Sequence, residues 1–148
     1  MVLNFVLMAI VIGILMPVQA GLNAELTRYL KHPHLGAFLS LFIGSMIISL
    51  MVIFNGRFNE IKRIPETPPY LFLGGVLGAI FVSSSLYLIP KMGATALICS
   101  FITGQLIGSV IIDHFGLMGL TPYPLNLNRI LGIFLLFSGL MLVVKKSV

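Results

Sequence analysis

Residues 94–113 read ATALICSFITGQLIGSVIID and carry no charge before the final aspartate. Apolar and polar side chains do not alternate along this stretch as a barrel strand would require, so it reads as a helix. At about 1.5 Å per residue it reaches about 30 Å, the thickness of a bilayer's hydrocarbon core. Its polar residues are ordered. Gln105, Ser109 and Asp113 recur every four positions and form one stripe, while Ser100, Gly104 and Gly108 repeat at the same spacing on another face. One face is suited to line a polar path and the other to pack closely against a second helix.

Working outward, the charge-free runs Met1–Ala24, Leu35–Gly56, Thr67–Pro90 and Ile130–Val144 flank this segment. A spanning helix needs roughly 17–25 mostly apolar residues. The last run is short but can reach by letting Arg129, Lys145 and Lys146 extend to the interface. The 148-residue chain is 58% hydrophobic and 9% charged. A soluble domain carries about a quarter charged residues, so this chain cannot cover a water-facing surface. The expected fold is an all-α integral membrane protein with five transmembrane helices in a single domain, residues 1–148. The spans are placed at about 2–29, 35–54, 70–89, 94–113 and 129–146.

The turns follow from the breakers. Pro17 is expected to kink span 1, Lys31-His32-Pro33-His34 to turn it into span 2, and Pro90-Lys91-Met92-Gly93 to join spans 3 and 4. Asn55–Pro69 holds much of the charge, and Asn128 is placed as the cap of span 5. Val18-Gln19-Ala20 has small-residue cleavage spacing, but no Lys or Arg precedes Arg28, so the first span is expected to remain uncleaved.

The net charge of +5 comes from lysines and arginines scattered in loops and at helix ends, which argues against nucleic acid as a partner. The single cysteine, Cys99, lies in an apolar helix and forms no internal disulfide. No zinc spacing, phosphate-cradling loop or nucleophile elbow occurs. We therefore expect no enzyme, no metal and no cofactor.

An odd number of spans places the chain ends on opposite sides. Arg57, Lys62, Arg63 and Arg129 fall on the N-terminal side; Arg28, Lys31, Lys91, Lys145 and Lys146 fall on the other. Orientation follows Lys/Arg asymmetry in short loops, and four against five gives almost none. The chain is expected to insert both ways. Two opposed copies would make a ten-helix inverted-repeat unit, a common transporter plan with the site near midplane.

Polar side chains in a bilayer need a partner, a wet cavity or a task. Gln19 and Asn23 lie one turn apart below Pro17. Ser83, Ser84, Ser85 and Tyr87 mark span 3, with Ser83 and Tyr87 on one face. Serines in membrane helices often bond to their own backbone, which is the plain alternative. Glu25 sits three residues before Arg28, as an edge ion pair would, and Asp113-His114 closes span 4. Gly74 and Gly78 read as packing positions. No acid lies at the middle of any span, which disfavours a midplane carboxylate mechanism.

In chain order, Gln19-Ala20-Gly21-Leu22-Asn23-Ala24, Gly74-Gly75-Val76-Leu77-Gly78-Ala79, Ser84-Ser85 with Pro90-Lys91-Met92-Gly93-Ala94, Gly104-Gln105-Leu106 and Asp113-His114-Phe115-Gly116-Leu117 form a set. Together they resemble the YdcZ-type inner-membrane family of the drug/metabolite transporter superfamily, over nearly the whole chain. The resemblance implies a bacterial inner-membrane location, dual-topology or paired relatives, and export of a small metabolite or drug-like compound. Lys91 stands where the family suggests arginine, and Pro69-Tyr70 where it suggests tryptophan.

The expected function is small-molecule secondary transport by an antiparallel homodimer in the lipid bilayer. Substrate would bind Gln19, Asn23, Ser84, Tyr87 and Gln105; Glu25 and Asp113 are the coupling candidates, and Gly104 and Gly108 pack helices. Two rival readings are an accessory membrane subunit with no path of its own and a passive channel.

Overall fold

The computed structural model describes residues 2–56 and 58–145. Arg57 and Lys146 of the charge count, and the side chain of Lys145, lie outside them. Among the described residues five α-helices carry the fold: α1 (Val2–Leu30), α2 (Pro33–Phe54), α3 (Leu73–Met92), α4 (Ala94–Phe115) and α5 (Leu127–Lys145). No strand occurs among the described residues. All five are long and apolar enough to span a bilayer, and between 0% and 17% of each most apolar window is buried. So little burial leaves the apolar surface for lipid or another chain.

Several boundaries differ from those read in the sequence, each for a local reason. α2 starts at Pro33, not residue 35, because a proline at N1 loses no intrahelical bond and already has helical φ. The turn before it shrinks to Lys31 and His32, with Lys31 at φ 54 closing α1 in the left-handed region. α3 is preceded by a 3₁₀ turn, Pro69–Phe72, and continues through Pro90 to Met92. Pro90 removes one bond of the helical ladder yet sits in the last turn, where few bonds follow it. The break falls at Gly93, whose φ of 79 suits only glycine.

Contacts divide the chain into two compact units, Met1–Lys91 and Met92–Val148. In the first, α1 and α2 form a close hairpin. Gly36 and Ala37 are buried, and a Cβ added at Gly36 would collide with Thr27 Oγ1 and lie 3.4 Å from Thr27 Cα. A 29-residue helix such as α1 is about 44 Å long, which exceeds the hydrocarbon core of a bilayer. Between α2 and α3, the charged segment forms a 3₁₀ helix, Phe58–Glu66. Phe58, Ile61 and Ile64 recur at its three-residue period, and Glu60 pairs with Arg63 at 3.3 Å.

In the second unit α4 packs against α5. Gly116, at φ 59, ends α4, and Pro122 folds so closely over it that an added Cβ would stand 2.7 Å from the proline ring. The chain then returns to α4: Tyr123 N–H donates to Asp113 O at 2.7 Å, and Leu125 N–H to His114 Nδ1 at 3.1 Å. Asn126, not Asn128, caps α5, its Oδ1 accepting from Arg129 N–H at 3.0 Å. An N-cap must precede the first helical residue, here Leu127, and Asn128 lies one residue inside.

Candidate functional site

Most membrane-span serines spend their hydroxyls at home. Ser45, Ser49, Ser85, Ser100, Ser109 and Ser138 each donate to a carbonyl three or four residues back, at 2.7–2.9 Å. Ser83 and Ser84 do not; their hydroxyls make no hydrogen bond among the described residues. Both instead line a pocket of about 370 Å³ in the first unit, together with Tyr87, Leu88, Pro33 and His34. The α3 residues arrive at i, i+1, i+4 and i+5, one broad helix face, and the first turn of α2 supplies the rest of the lining.

Just beyond the pocket, Lys91 Nζ lies 3.5 Å from the centroid of the Tyr87 ring. Four residues on a helix bring the two side chains over one another, and the ring quadrupole holds the ammonium. The pocket thus combines two free hydroxyls, an imidazole and an aromatic face, with the Lys91 ammonium beside it on the Tyr87 ring. No Asp or Glu among the described residues lines the pocket.

A second pocket, of about 350 Å³, lies between α4 and α5 and includes Ser109, Asp113, Arg129, Leu106 and Ile133. Arg129 Nη2 donates to Asp113 Oδ2 at 3.2 Å, Nη1 donates to Tyr123 O at 3.3 Å, and the guanidinium lies 4.1 Å from the Tyr123 ring. Asp113 and Arg129 are the sole Asp/Glu and Lys/Arg of residues 92–144, so each has one possible partner of opposite sign there. That signal was available in the sequence and points to the pair.

The expected site residues are distributed as follows. Ser84 and Tyr87 meet in the first pocket. Gln19 is exposed and Asn23 half-buried on α1, and neither lines that pocket. Gln105 is exposed on α4, in the other unit. Glu25 is ion-paired with Arg28 at 3.0 Å, and both are exposed. Asp113 lines the second pocket with Ser109. A Cβ added at Gly104, Gly108, Gly74 or Gly78 would meet nothing within 4 Å inside the chain. His34 and Gly36 were not singled out in the sequence, since only the folded hairpin reveals what the start of α2 faces. Among the described residues no three His, Cys, Asp or Glu gather as a metal site.

A family model described as "Putative inner membrane exporter, YdcZ" matches residues 4–142. No curated protein and no solved structure matches the chain. The match runs through all five membrane helices, and the family it describes is one of transporters, not enzymes. The chain belongs to the YdcZ family of inner-membrane exporters.

Proposed function

We propose that the chain is one half of a small-molecule secondary transporter, completed by an inverted copy of itself, that exports a metabolite or drug-like compound. The observation that carries this reading is the pair of free hydroxyls, Ser83 and Ser84, turned to a pocket on a membrane helix whose neighbouring serine bonds to its own backbone. Two further features support a partner chain. Gln19 and Gln105 are exposed and make no hydrogen bond among the described residues. An unsatisfied amide in hydrocarbon costs several kcal/mol, and a second chain or a wet path removes that cost. The near-even charge count favours the opposed orientation of that second chain.

In this reading Gln19, Asn23 and Gln105 join Ser84 and Tyr87 only in the assembled dimer. Gly104 and Gly108, with open space beside them, form the seam where the partner approaches. Glu25 and Asp113 are the carboxylates open to a coupling role. Asp113 lines a pocket and Glu25 does not, so Asp113→Asn is the variant expected to change the pH dependence of transport.

Cysteine accessibility tests the path. In a Cys99→Ala background, Ser84→Cys and Ser109→Cys are each treated with a membrane-impermeant thiol reagent in membrane vesicles. Labelling supports a water-filled path that reaches these positions. Complete protection of both positions favours the accessory-subunit reading and removes the transport path.

A further inference from the structure

We propose that the pocket between the first turn of α2 and the last three turns of α3 binds the charged group of a small organic anion, a carboxylate or phosphate carried on an apolar or aromatic body. That such an anion is the exported compound rests on the transport reading above; that it binds rests on the pocket itself.

Charge selects the ligand class. The Lys91 ammonium stands 3.5 Å over Tyr87, and no carboxylate among the described residues lines the pocket. The nearest acid along α1, Glu25, is already engaged by Arg28 at 3.0 Å. The α1–α2 turn and the end of α3 carry Arg28, Lys31 and Lys91, with His32 and His34, against that single carboxylate in the sequence. A cationic ligand would find the Tyr87 face taken by a like charge. A neutral one would leave the ammonium unused. An anion gains a charge-assisted hydrogen bond from Lys91, whose contact with the ring leaves N–H groups free to donate.

The remaining walls fit the same ligand. Ser83 and Ser84 offer hydroxyls as donors because neither is spent on the helix backbone. α2 begins without a side-chain cap, so its amino end adds partial positive charge to the wall formed by Pro33 and His34. Leu88, Pro33 and the Tyr87 ring supply apolar surface for the body of the ligand. At about 370 Å³ the pocket falls within the usual range for small-molecule sites, about 300–1,000 Å³.

The chain contains no tryptophan, so Tyr87→Trp places one fluorophore in the pocket and keeps an aromatic face for Lys91. The purified variant is titrated in lipid-free detergent with sodium benzoate, benzylamine hydrochloride and benzyl alcohol. Calorimetry of the unsubstituted chain with the same compounds covers the case in which the variant misfolds. Benzoate is expected to bind saturably, with both other compounds at least about tenfold weaker. Adding Lys91→Gln should weaken benzoate by about tenfold or more, while Lys91→Arg should hold it within a few-fold. Phosphatidylglycerol in mixed micelles separates a lipid headgroup from a soluble anion.

The proposal is overturned by equal binding of benzylamine and benzoate, by benzoate affinity unmoved in Lys91→Gln, by a response to phosphatidylglycerol alone, or by no saturable binding of any probe. Proteoliposomes keep the two readings apart. Benzoate bound but never moved removes transport and leaves the site; benzylamine moved with benzoate unbound removes the anion and leaves transport.

Discussion

Arg129 Nη2 reaches Asp113 Oδ2 at 3.2 Å and thereby ties the first turn of α5 to the last turns of α4. The pair is about one-third exposed, with side-chain accessibilities of 28% and 36%. It is reinforced by the Tyr123 ring and carbonyl, both held by Arg129, and by Asp113 O, which accepts from Tyr123 N–H. The loop is thus closed from three directions onto one arginine.

Removing that arginine should loosen the clasp by a modest amount. A partly exposed ion pair contributes about 1 kcal/mol, and the stacked ring adds roughly 0.5–1 kcal/mol. Arg129→Ala is expected to lower stability by about 1–2 kcal/mol, and Asp113→Asn by about half as much because the stacking survives. Thermal unfolding of the two single variants and the double variant in detergent gives the coupling between them. Strictly additive losses would mean that the two side chains do not act on each other.

The α1–α2 hairpin turns on a close approach. Thr27 Oγ1 is buried without a hydrogen-bond partner, and it occupies the space that a Cβ on Gly36 would need. Gly36→Ala should therefore cost about 1–3 kcal/mol by overpacking. Thr27→Ala alone removes an unsatisfied hydroxyl and should be nearly neutral, and in combination it should restore most of the loss. Melting curves of the three variants decide it; a Gly36→Ala chain as stable as the parent would show that the helices separate freely.

Much of this architecture is legible in the sequence. Five charge-free runs gave five helices because a bilayer demands uninterrupted apolar length, a property written in one dimension. Ser83 and Tyr87 were legible as a pair for a similar reason, since four residues along a helix fix a shared face. The Gly36–Thr27 approach and the role of His34 were not. They depend on how two helices meet, and neither residue type marks that position locally. Asn126 and Asn128 are equally good capping residues, so the choice between them waited on where the Tyr123 segment docks. The 3₁₀ period of Phe58, Ile61 and Ile64 was present in the sequence, but it is readable only once a three-residue repeat is sought.

Gly104 and Gly108 provide a test of the assembly that leaves the single chain intact. Neither has a neighbour within 4 Å of an added Cβ, so the first carbon of a larger side chain meets no obstacle inside the protomer. In the proposed dimer the same positions face the partner, where close backbone approach depends on small residues. The double variant Gly104→Leu, Gly108→Leu should reduce the cross-linked dimer fraction severalfold in membranes while the helical content of the chain is unchanged. A dimer fraction equal to the parent's would place the seam elsewhere.

Orientation offers the last and broadest test, because it depends on charge alone. The N-terminal side carries four Lys or Arg residues and the opposite side five. Glu60→Lys and Glu66→Lys add two to the first side, and Lys31→Asn removes one from the second, giving six against four. Asparagine at position 31 tolerates the left-handed φ of 54 found there. Positively charged loops are retained in the cytoplasm, so the triple variant should insert with its N-terminus inside and its C-terminus outside. Paired reporters on the two tails should report both orientations for the parent and one for the variant. Export should fall sharply in the uniformly oriented population and recover when an oppositely biased chain is co-expressed, since only then are inverted pairs formed. A parent chain already uniform in orientation, or a variant that exports undiminished alone, would mean that parallel copies or single chains carry the compound.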